Sequence, residues 1–187
     1  MSDKTTIVNQ AFVLLGVELI DTIDSNNTNA KRAKAIYDQT RQALLREFPH
    51  TSCTKTVSLG APLLNTNNYN IPDDCLRILY VHTGNESSDM DRDYVLKGRV
   101  LTTSISNPNL TYVFDNKNEG TYGVGLIEAL VYLLAFKLSK SILGSQETNF
   151  YKLYQETINQ EKSVDSLQIP SQVFFDDDQF SFKYSNW

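Results

Sequence analysis

The chain has 187 residues, 41% hydrophobic and 21% charged, with a net charge of −5 and a pI near 5.0. That length supports one compact core, with room for an insertion, and the mildly acidic balance is unlike the basic face of a dedicated DNA binder. No apolar run approaches the ~20 residues of a membrane-spanning helix, and the opening MSDKTTIVNQ lacks the basic and then apolar pattern of a secretory leader.

The first element is helical. Ile7, Val8, Ala11, Phe12, Leu14 and Leu15 recur at helical spacing from Thr5, and Gly16 suits the left-handed residue that closes a helix. A connector rich in Asp, Ser, Asn and Thr leads to a second helix from about Asn29 to Phe48, ended by Pro49. Its apolar stripe is Ala30, Ala33, Ile36, Tyr37, Leu44 and Phe48. The rest is mainly basic, with Lys31, Arg32, Lys34, Arg41 and Arg46. A solvated face is the ordinary reading of such charges, and contact with an acidic partner or with nucleic acid is the other.

From Thr51 to about Phe114 the period shortens to two. CTKTVSLG and RILYVHTG alternate, YVLKGRVLTTS has the form of a hairpin with Gly98 near its tip, and NLTYVFD is a further strand. The short links between them predict four to six mainly antiparallel strands. A third helix, Gly125 to Leu143, is apolar on most sides, which places it centrally or between partners. Gly144 and Ser145 break it. A fourth helix from about Gln146 to Leu167 carries Phe150, Leu153, Tyr154 and Ile158 on one side and is closed by Pro170. The expected fold is therefore α+β: a four-helix bundle from 1–50 and 120–168, an inserted antiparallel β region at 51–119, and an extended C-terminal arm at 169–187.

Little in the pattern points to catalysis. The two cysteines, Cys53 and Cys75, form no C-x-x-C pair, and neither a Walker loop, a G-x-S-x-G elbow nor an HExxH helix is present. No cofactor or metal is expected. The glycines of EGTYGVGL precede a helix but follow a polar turn, so a flexible helix start is preferred to a phosphate cradle. Asp73 and Asp74 follow Pro72. Adjacent residues of an extended chain face opposite ways, so the pair reads as a turn that launches the next strand rather than as an acid and base. Arg77 in that strand reads either as a structural peg, with the acid pair near enough to be its partner, or as a contact with another subunit.

The arm is unusual. Phe174, Phe175, Phe180, Phe182, Tyr184 and Trp187 crowd a terminal stretch around Asp176–Asp178, whereas chain ends are ordinarily poor in aromatics. The expectation is docking onto another chain. The alternation at Phe180, Phe182 and Tyr184 suits strand addition to a sheet edge.

Several segments in order resemble one family. NQAFVLLG, AKAIYDQTRQALLREFPH, YNIPDDCLRILYV, YVLKGRVLTT, LTYVF and EALVYLLAFKLS, spread between Ile7 and about Tyr154, are similar to the tail adaptors of short-tailed bacteriophages, the tail tubular protein A family. The segment VFFDDDQFSFKYSNW matches no motif of that family. Adaptors of long-tailed phages share its general helical architecture. The resemblance implies a structural virion protein with no enzymatic activity: a head-to-tail connector forming a twelve-membered ring, joining the portal protein to the tail nozzle protein, with DNA passing through the channel without specific binding. It also implies assembly in the host cytoplasm and no membrane association. On this reading the arm residues bind a partner, and Lys31, Arg32, Lys34, Arg41 and Arg77 lie at the subunit interface. The alternatives are a virion-associated hydrolase using Asp73, Asp74, Glu119 or His82, and a small nucleic-acid-binding module using the basic helix.

Overall fold

The computed structural model describes residues 3–63, 66–83 and 94–168. Four helices, α1 (Lys4–Leu15), α2 (Thr28–Glu47), α3 (Val124–Leu143) and α4 (Thr148–Gln168), combine with six strands: β1 (Thr54–Ser58), β2 (Asn68–Asn70), β3 (Cys75–His82), β4 (Tyr94–Lys97), β5 (Val100–Thr103) and β6 (Asn109–Phe114). The Asp3 carboxylate accepts from the Thr6 amide to cap α1, and Gly16 closes it at φ 66°. Asn27 caps α2 in the same way, accepting from the Asn29 and Ala30 amides.

The strands form two three-stranded antiparallel sheets, ordered β1-β6-β3 and β2-β5-β4. β6 explains how the layers stack. It is the central strand of its sheet and is buried on both faces. Leu110, Tyr112 and Phe114 pack with Tyr69 and Leu101 of the second sheet and with Ile71 just after β2, whereas Val113 points the other way, into the helical core with Cys53. A two-residue period thus makes one strand the shared wall of two cores.

The expected four-helix bundle is not what forms. The described residues make an α+β arrangement of four helices and two small sheets. α1, α2 and α4 each pack against α3, and the other helix pairs meet only marginally. The reason lies in α3, which buries Leu126, Leu130, Val131, Leu134 and Leu138 and so takes a neighbour on most sides. In a bundle α2 would turn its inner face to two helices. Here α2 also packs on β3, and its buried Arg41 reaches the end of β6. The β region therefore shares the helical core and is not appended to it. On α4, Tyr154 and Ile158 are buried as the spacing predicts, while Leu153 stands exposed.

Candidate interaction surfaces

Arg41 falls four residues after Tyr37 and three before Leu44, which puts it on the buried stripe of α2. Its side chain is 0% exposed. Nη2 stands 2.8 Å from Asp115 Oδ1, and Nη1 donates to the Asn116 carbonyl. The same carbonyl accepts from Tyr122 Oη at 2.6 Å, and Asn116 Nδ2 donates to Ser52 O at 3.1 Å and Thr121 Oγ1 at 2.9 Å. Tyr37 Oη donates to the buried Glu119 at 3.2 Å. Burial, reinforced by Glu119, pushes the Tyr37 phenol well up, so it stays a donor. These bonds clamp the link between β6 and α3 against α2. A guanidinium so enclosed by its own chain presents nothing to a neighbour. Lys31, Arg32 and Lys34, by contrast, lie exposed, with Lys34 paired to Asp24 at 2.8 Å and Arg32 reaching Asn29 at 3.3 Å. The basic helix thus divides: one arginine inside, three cations outside near its start, and Arg46 exposed in its last turn.

The glycine-rich start of α3 also has an occupant from its own chain. A Cβ on Gly125 would fall 2.0 Å from Glu161 Oε2 of α4, so only glycine lets that carboxylate settle there. Anions favour helix N-termini, and the chain supplies its own. His50 Nε2 lies 3.4 Å from Glu161 Oε1, while His50 Nδ1 accepts from the Ser52 amide at 3.1 Å and sits 2.8 Å from Ser52 Oγ. A hydroxyl, a histidine and a carboxylate thus follow one another in the order used for nucleophile activation. However, the amide addresses the same Nδ1 lone pair that a general base would need, and the Glu161 carboxylate already fills the space beside Gly125. The trio acts as a clasp between α4, α3 and the turn at Thr51–Cys53.

On the sheet side, Asp73 and Asp74 form the turn expected of them, with Cys75 N donating to Pro72 O at 3.0 Å. They diverge. Asp73 approaches Arg99 Nε at 3.6 Å, and Asp74 takes Lys55 Nζ at 2.6 Å and Tyr112 Oη at 2.9 Å. Burial works to raise the Asp74 carboxyl, but Lys55 and Tyr112 outweigh it and hold it below the usual range. A depressed native pKa gives stability that is present above the unfolded value, near pH 4, and lost as pH falls through the native one. Both side chains of the ion pair are more than a third open to water. Asp74→Asn should therefore cost only about 1 kcal/mol at pH 7 in urea melts. The difference from wild type should shrink as pH falls below about 4 and through the lowered native pKa of Asp74, where its carboxyl becomes neutral.

Arg77 does not reach the acid pair. A register shift between Cys75 and Arg77 bulges the edge strand, and Arg77 stands exposed. Its Nη1 donates to the Arg46 carbonyl at 3.0 Å, an orphan acceptor in the last turn of α2 that welcomes a cation. Arg77 thereby pins the sheet edge to the helix end. The spare charge of Arg77 lies beside Arg46 and Arg99 in a groove of about 360 Å³, floored by Leu76, Ile78 and Leu96.

A second surface is apolar. Gln10 and Leu14 of α1 with Val124, Ile127, Val131 and Tyr132 of α3 line an open groove, with Glu128 its one charged residue. Val124 is 84% and Leu14 is 40% exposed. The spacing that put Leu14 on the first helix's inner stripe did not anticipate this.

The other residues with potential chemistry are scattered. His82 is buried beside Thr111 and Glu119 beneath Tyr37, while Asp73 and Asp74 sit at the strand turn. Among the described residues, no group of three metal-ligating side chains occurs, and no helix is long and apolar enough to cross a membrane. The aromatic residues Phe174, Phe175, Phe180, Phe182, Tyr184 and Trp187 lie outside the described residues. No family model matches the chain, and no curated protein matches it.

Proposed function

We propose that this chain is a ring-forming head-to-tail adaptor of a bacteriophage virion. Identical copies close around a DNA channel and join a portal above to a tail nozzle below. The observation that carries this reading is the apolar face of α1 and α3, left open beside the buried core. Contiguous exposed apolar surface marks an interaction site. A cyclic assembly needs two unlike surfaces on each copy, and the arginine-lined groove on the sheet side supplies a surface of different character. The exposed cations Lys31, Arg32 and Lys34 serve contacts with neighbours. The net charge of −5 keeps DNA sliding rather than bound. The order of sequence segments that resemble those of tail adaptors supports the same reading. The test is a solution mass for the full chain, alone and mixed with a candidate portal protein, where a closed ring of about twelve copies is expected. Deleting residues from Ser171 onward should leave the melting profile of the body intact while weakening attachment to the arm's partner, whether a neighbouring copy, the portal or the nozzle. Unchanged attachment would remove the arm from the contact.

A further inference from the structure

The groove between β3 and β4 is lined by Arg46, Arg77 and Arg99 over Leu76, Ile78 and Leu96. Both strands are the outer members of their sheets. Unpaired strand edges are templates for a further strand. Among the described residues neither Arg46 nor Arg77 has a carboxylate partner, and the only one near Arg99 is the fully exposed Asp73 at 3.6 Å. Three guanidiniums over an aliphatic floor suit an extended peptide that alternates apolar groups with acids.

The chain itself contains such a peptide. In an extended segment, alternate residues share a face. From Phe174 the even positions are Phe174, Asp176, Asp178, Phe180, Phe182 and Tyr184, while the odd positions from Asp177 to Ser185 are all polar or charged. One face thus sets two carboxylates among four aromatic rings. That is the complement of arginines among aliphatic side chains, and bidentate guanidinium–carboxylate pairs would fix its register.

We infer that the segment Phe174–Tyr184 of a second copy adds as a strand to this groove, with Asp176 and Asp178 meeting Arg46 and Arg77. A second copy is favoured because the ring reading needs each copy to reach its neighbour, and α4, which leads into the segment, meets α2 at Glu47 and not at the groove residue Arg46. Tyr154 of α4 donates to Glu47 at 2.7 Å, whereas Arg46, the preceding residue, holds Arg77 through its carbonyl. The inference rests on the ring reading and names one part of its repeated contact.

The test uses full-length chains and their mass in solution at fixed concentration. Arg46→Glu with Arg77→Glu should reduce the assembled fraction by about tenfold or more, since breaking paired charges at an interface acts strongly. Asp176→Lys with Asp178→Lys should do the same. The chain carrying all four changes should recover, which also rules out simple misfolding. An equimolar mixture of the two broken chains should assemble as the wild type does, because the aspartates of one meet the arginines of the other and the lysines of the second meet the glutamates of the first. Recovery of the four-change chain without assembly of the mixture would place the segment on its own chain and overturn the proposal. If the reversals leave the assembled fraction unchanged, the groove contact is wrong and the ring stands. If the wild-type chain never assembles, both fail.

Discussion

Arg41→Met should destabilise the monomer by about 3–5 kcal/mol, because it leaves a buried carboxylate without its counter-charge. Asp115 and the Asn116 carbonyl both face the Arg41 guanidinium, whose side chain is 0% exposed. Water cannot replace it without opening the junction between α2 and the β6–α3 link. Gln42 Nε2 still reaches Asp115 Oδ2 at 3.1 Å, so one hydrogen bond survives. The charge does not find another partner. Adding Asp115→Asn should restore a large part of the loss, since removing both charges costs less than stranding one. Guanidinium melts of the three variants form a mutant cycle, with coupling expected above about 1 kcal/mol for groups in direct contact. A single-variant loss below about 1 kcal/mol would mean that the guanidinium's desolvation cancels its bonds and that the clamp is ornamental.

This arginine shows what the sequence could and could not convey. Its position was legible, because residues 37, 41 and 44 follow the spacing of the buried stripe. Its charge argued for the outer face, and charge is the stronger signal in a single chain because arginines are rarely buried unless paired. The partners that reverse the argument lie on the far side of the sheet region, at Asp115 and Asn116. Arg77 erred in the opposite direction. It sits within an apolar run and reads as interior, but the bulge of an edge strand turns it outward. Helix and strand positions followed period and punctuation closely, down to the Gly98 hairpin tip between β4 and β5. The bundle did not follow, because periodicity tells how much of a helix is covered but not by what. An all-round apolar α3 fits a bundle centre and fits equally a layer backed by a sheet. Likewise Glu161 at the start of α3 had no local signal. The missing Cβ of Gly125 was visible, and the side chain that needs the space lies a whole helix away.

Leu14→Lys should separate folding from assembly. Leu14 is 40% exposed in the last turn of α1, beside Val124 at 84%. A lysine there can keep its methylene stem along the groove and lift its ammonium into water. The cation also lies at the favoured end of the helix dipole, worth about 0.3–1 kcal/mol. The isolated chain should therefore melt within about 0.5 kcal/mol of wild type, as for other surface changes. Within a ring the same ammonium is trapped against the apolar side of a neighbour, with no acid of its own side in the groove except Glu128. Glu128 offsets part of the charge, but desolvating an ammonium that was in water still costs free energy, and each 1.4 kcal/mol is a factor of ten, so assembly should require roughly tenfold or more additional protein. Ring mass at wild-type concentration in this variant would show that the α1–α3 face looks into solvent in the assembled state. The surplus apolar surface would then belong to a portal or nozzle contact, and copies would meet through the sheet side alone.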